Sequence, residues 1–125
     1  MIQMEEMRQL LCRAYPGLRD RVVATSDAWI GNDGDFVGHV WMLQLTELVR
    51  ERLTNGNYEH TEALFCVVEK LIAEGDDDVR TVVLTGLVEG LQHQHDVEPK
   101  LWQPFLGRLA KAHCDAMDEF HGIKL

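Results

Sequence analysis

Serine is almost missing from this chain. Ser26 is the only one, and it lacks a G-x-S-x-G setting, which removes the usual signature of a serine nucleophile. Cysteine is scarce: Cys12, Cys66 and Cys114 are widely spaced, odd in number and without a C-x-x-C pair. That pattern is neither a disulfide framework nor a zinc-ligand set. The three read as buried free thiols in a reducing compartment. Basic residues are outnumbered, 12 Lys and Arg against 21 Asp and Glu, for a net charge of −9. Phosphate backbones and anionic bilayers are bound by clustered Lys and Arg, so neither nucleic acid nor a membrane surface is expected as a direct partner. No apolar run approaches the roughly 18 residues of a membrane span. The opening MIQMEEMRQLL has neither the basic n-region nor the apolar stretch of a signal peptide. These absences lead to the expectation of a soluble, cytoplasmic protein. No P-loop or dinucleotide fingerprint occurs, and no cofactor is expected.

The 125 residues are 46% hydrophobic, enough for one domain, residues 1–125, to bury a core unaided. The periodicity is helical throughout, with no sustained period-two alternation. A first helix is predicted over Gln3 to Ala14, ended by Pro16-Gly17. Leu18 to Ala28 offers a short helical turn in which Val22 and Val23 pack on the core. A second long helix follows the breaker cluster Gly31 to Asp35, capped by Asp33 or Asp35, and runs to Thr54 with Val37, Val40, Trp41, Leu45, Leu48 and Val49 as its stripe. A third begins near Glu59 to Thr61 and ends at Gly75. Its inner face is Leu64, Val67, Val68, Leu71 and Ile72, with Glu62, Glu69 and Glu74 outside.

Asp76 or Asp77 caps a fourth helix, whose inner face is Val79, Val82, Val83, Leu87 and Leu91. In it Gly86 and Gly90 would allow a close helix contact. Pro99 starts the last helix, with Pro104 either bending it or marking its true start. Leu101, Trp102, Phe105, Leu106, Leu109 and Ala110 face inward. The fold expected is an all-α bundle of five or six helices, containing an antiparallel hairpin over Leu64 to Leu91.

The negative charge is uneven. Residues 56–98 hold ten acids and two bases, a net of −8, whereas residues 99–125 are net +1. Such asymmetry steers a basic partner toward one region. The candidate partner-binding residues are therefore Glu59, Glu62, Glu74, Asp76, Asp77 and Asp78, whose carboxylates can receive bidentate guanidinium contacts. One of the aspartates is assigned to helix capping, and the others also complement the helix dipole. Trp29 and Tyr58 lie near turns and would serve as interface anchors if exposed.

Other motifs carry less. Placing Gly34 at the sixth position of a calcium loop puts Trp29 first and Val40 twelfth, and neither supplies a carboxylate. His93 and His95, with Asp96, sit at a spacing that turns two helical side chains about 200° apart, so no metal site is expected. Glu47 with Glu51, and Asp115 with Glu119, are i, i+4 pairs suited to acid–base work, but solvated helix faces produce the same pattern. The chain does not read as an enzyme.

Gly75-Asp76-Asp77-Asp78-Val79-Arg80-x-x-Val83 is similar to the D-x-x-V-R-x-x-A opening of the second helix in HEAT repeats, in a single copy. More widely, Leu64 to Asp76, Val83 to Leu91 and Pro104 to Gly107 resemble a family of small acidic all-helical bacterial proteins. Some of these are immunity proteins of polymorphic toxin and contact-dependent growth inhibition systems. The resemblance implies a stoichiometric inhibitor that occludes a toxin domain, often a basic nuclease; it transfers no catalytic residue. A HEAT-like adaptor without a toxin partner stays open as an alternative, as does a small enzyme using a carboxylate and histidine pair.

Overall fold

The computed structural model describes residues 1–30, 37–92 and 98–120. The fold is all-α. Helix α1 spans Met4–Ala14, α2 Leu18–Ala24, α3 Ser26–Trp29, α4 Gly38–Thr54 and α5 Thr61–Glu74. Then α6, Asp77–Val82, runs through a π-helical turn, Val83–Val88, into α7, Glu89–Gln92. Two 3-10 turns, Pro99–Leu101 and Gln103–Phe105, precede α8, Arg108–Phe120. No described helix is long and apolar enough to cross a membrane.

Helix α4 is the hub. One side packs on α2 and α3, the other on the 77–92 helix. Its buried set, which includes Trp41, Met42, Leu45, Thr46, Val49 and Leu53, is wider than a single stripe because it has neighbours on two sides. Val37, expected inside, is exposed. Helix α5 packs against α1 and α8, and the described helices share one apolar cluster that fully buries Trp41, Trp102 and Tyr15.

The 77–92 helix buries Val79, Val82, Val83, Leu87 and Leu91, the inner face its spacing predicts. The π turn adds Val88. In a straight α-helix Val88 would point about 140° away from Val83; the wider i→i+5 turn rotates it back to the core side. Gly86 and Gly90 lie against α4. A methyl on Gly86 would sit 2.7 Å from Met42 Cγ, and one on Gly90 3.1 Å from Thr46 Cγ2. The Thr46 hydroxyl spans the contact, 2.9 Å from the Gly86 carbonyl. Gly86→Ala should therefore destabilise the protein by about 2 kcal/mol although alanine is the better helix former. Urea unfolding checks this, and a stabilised variant would show that the contact is not tight.

The last helix differs from expectation. Pro99 and Pro104 each stand in the first positions of a 3-10 turn, and α8 starts only at Arg108. Two prolines five residues apart each remove a backbone donor, so a continuous α-helix gives way to short i→i+3 turns.

Near the start of the chain Ile2 lies alongside Gly75 as an isolated parallel bridge. The Ile2 amide donates to the Glu74 carbonyl and the Asp76 amide donates to the Ile2 carbonyl, both at 2.9 Å. The α5–α6 turn is thus held from outside as well as by its own residues.

Candidate functional site

The six acidic residues singled out by sequence divide between the two ends of α5. Glu59 and Glu62 lie at its start, Glu74 and Asp76 to Asp78 at its end. From Glu62 to Glu74 the rise along the helix is about 18 Å, more than twice the screening length of about 8 Å at physiological salt. They form two acidic groups rather than one patch. Glu59, Glu62, Glu74, Asp77 and Asp78 are exposed. Among the described residues none of the six is ion-paired within the chain. Asp76 is half-buried and serves as the N-cap of α6, its Oδ1 accepting from the Val79 amide at 2.8 Å. Asp77 and Asp78 fill the first turn, where the helix dipole favours negative charge.

The group at the start of α5 borders a hollow of about 520 Å³ lined by Tyr58, His60, Glu62, Ala63, Cys66 and Phe105. Two of these residues, Tyr58 and Phe105, belong to a stack of three aromatic rings that continues behind the hollow to Phe65. Phe65, 2% exposed, stacks on Phe105 with centroids 6.3 Å apart. Phe105 stacks on Tyr58 at 6.4 Å and 25°, and Tyr58 is 45% exposed. The outermost ring is thus fixed to the core through its neighbours. His60 holds a left-handed backbone, φ 63° and ψ 3°, a conformation that strains a residue with a side chain. Lys100 lies near Tyr58, paired with Glu98 at 2.9 Å; this pairing holds the ammonium above its ordinary range.

Of the two aromatics near turns, Tyr58 is presented to solvent. Trp29 is half-buried, with its indole N–H donating to the Val22 carbonyl at 2.7 Å. A smaller hollow, about 250 Å³, lies beside it and is lined by Arg8, Cys12, Arg19 and Trp41 among others.

Two expectations are corrected. Glu69 is not an outer-surface residue. Its carboxylate accepts hydrogen bonds from the backbone amides of Leu109 and, at 3.2 Å, Ala110. Those are early amides of α8, which lack intrahelical partners. The preceding residue, Gly107, has no side chain to cap them, so a carboxylate from α5 does so. The cysteines are also not uniformly buried. Cys114 is buried, Cys12 half-buried and Cys66 exposed. Burial pushes the Cys114 thiol up to about 11, helped by Asp118, Asp115 and Glu89. Burial also raises Cys12, against the opposing pull of Arg19 and Arg8.

Other polar side chains pair across elements. Glu51 pairs with Arg21. Glu89 meets His113 at 2.8 Å, and the Gln92 amide donates to the Cys114 carbonyl and to Asp118. Both contacts tie the 77–92 helix to α8. Among the described residues no group of three His, Cys, Asp or Glu is placed to hold a metal ion. The Gly31 to Asp35 loop, with the caps expected at Asp33 or Asp35, and the His93 to Asp96 segment lie outside the described residues.

Comparison with known families matches residues 8–122 to Domain of unknown function (DUF7674), and the chain belongs to that family. No curated protein matches it, and no solved structure does.

Proposed function

We propose that this DUF7674 chain binds a basic protein partner, and that the partner is a bacterial toxin domain neutralised inside the producing cell. One observation carries the reading: Glu59, Glu62, Glu74, Asp77 and Asp78 are exposed and, among the described residues, pair with no basic side chain. Unpaired carboxylates keep their long-range field, so they accelerate encounter with a cationic surface and pair with it on docking. The separation into two groups suits a partner that spans α5 and touches both ends. Occlusion of a toxin's active site, and the bacterial setting, rest on the resemblance of Leu64 to Asp76, Val83 to Leu91 and Pro104 to Gly107 to immunity-type proteins.

Co-expression with the product of the neighbouring gene, followed by pull-down and rescue of growth, tests the partner. For the purified pair, the association rate is expected to fall about tenfold between about 0.05 and 0.5 M salt, with a much smaller change in dissociation. A flat association rate would sink the electrostatic mechanism.

The second reading is a HEAT-like adaptor with no toxin partner. It is supported by the contacts between α5 and the 77–92 helix, which follow one another across the Gly75-Asp76 turn. Capture of a partner without any rescue of growth would favour it.

A further inference from the structure

We infer that the hollow beside Tyr58 is an anchor for one arginine side chain of the partner protein. The inference rests on the binding role proposed above and locates where that binding is strongest. Three features of the hollow select this occupant.

The first is Tyr58, an exposed residue that lines the hollow and ends a ring stack reaching Phe65 in the core. A ring already held by its neighbours loses little freedom when a planar cation stacks on it. The second is charge. Glu62 lines the hollow and Glu59 precedes it by three residues; both are exposed and, among the described residues, without an ion-pair partner. Such carboxylates repel phosphate or carboxylate ligands and can accept the paired N–H donors of a guanidinium. The third is space. Ala63 and Cys66 line the hollow with small side chains, leaving about 520 Å³ open beside the ring. Arginine satisfies ring and carboxylate together, whereas lysine offers a point charge without the stacking plane. Lys100 opposes a second cation here, but its pairing with Glu98 blunts that opposition.

The acidic turn at the other end of α5 has similar charge but no described aromatic wall, so the two ends should behave differently. The hollow would fix position, and the turn would contribute to steering.

The test uses the folded chain and two small probes, N-acetyl-arginine amide and N-acetyl-lysine amide, followed by amide NMR shifts. Saturating shifts are expected at residues 58–66 and 105, with the arginine probe about fivefold tighter than lysine. Tyr58→Ala and Glu62→Gln should each weaken the arginine probe about fivefold, and Glu6→Gln on α1 should not. Both altered side chains are exposed, so the fold is expected to survive, and far-UV circular dichroism checks this. Occupancy should also slow alkylation of the exposed Cys66 thiol. Shifts that fail to saturate, that match for the two probes, or that are largest at Asp77 and Asp78 would overturn the anchor. Those results would leave the wider binding role standing if a basic partner is still captured. Conversely, a saturable arginine site in a chain that captures no basic partner would overturn the role and keep the anchor.

Discussion

Replacing Gly75 by alanine is expected to destabilise the protein by about 3 kcal/mol, a large loss for a single methyl group. The backbone at Gly75, φ −70° and ψ 154°, is open to any residue, so the cost is steric and not conformational. The added carbon would stand 2.4 Å from the Leu71 carbonyl oxygen and 2.6 Å from Val79 Cγ1. Neither neighbour can yield cheaply. The oxygen already accepts the Gly75 amide at 2.8 Å, and Val79 is fully buried. Relief requires the turn to open, which pulls on the two hydrogen bonds to Ile2 and on the Asp76 cap. Chemical denaturation with the slope compared to wild type reads the loss. A cost below about 1 kcal/mol would mean that the turn relaxes freely and is not the fixed element described here.

Removing the Glu69 carboxylate should cost about 2 kcal/mol, more than an ordinary surface substitution. Glu69→Ala leaves the Leu109 and Ala110 amides without their acceptor and takes a negative charge from the positive end of α8. Glu69→Gln should lose about half as much, since its amide oxygen still accepts but the charge is gone. Gly107 supplies the counterpart. A methyl group there would lie 2.4 Å from Glu69 Oε2 and 2.9 Å from its Cγ. The side chain can swing aside, but then the cap is lost. Gly107→Ala should therefore resemble Glu69→Ala, and the double variant should cost little more than either alone. Strictly additive losses in urea melts would show that the glycine and the carboxylate act separately.

Much of this fold was legible in the sequence. The 3.6-residue spacing located the inner face of the 77–92 helix, and the cap was narrowed to Asp76 or Asp77, of which Asp76 takes the role. Gly86 and Gly90 signalled a close contact, though not that Met42 and Thr46 would meet them. Cys66 could have been placed correctly. It lies about 200° around the helix from Val68, opposite the α5 stripe, and its apolar character misled. Glu69 could not have been placed, because its partners are some forty residues away and the residue they needed was a glycine. The π turn was equally hidden, since Val88 is buried through rotation of the backbone and not through spacing.

Of the candidate site, sequence supplied the carboxylates but not their division. Charge counting over residues 56–98 ignores the length of α5, which separates Glu62 from Glu74. It also missed the ring stack beside the hollow. Tyr58 and Phe65 are seven residues apart with a helix start between them, and Phe105, the ring that joins them, comes from a distant 3-10 turn.

The bridge between Ile2 and Gly75 has a kinetic meaning. Its partners are about seventy residues apart, so closing it is an expensive long loop unless the helices between are already packed. During synthesis Ile2 emerges first and waits for α5 to be made and folded. Once the bridge has closed, the amides of Ile2 and Asp76 should exchange with solvent together, as one unit that opens without unfolding the remainder.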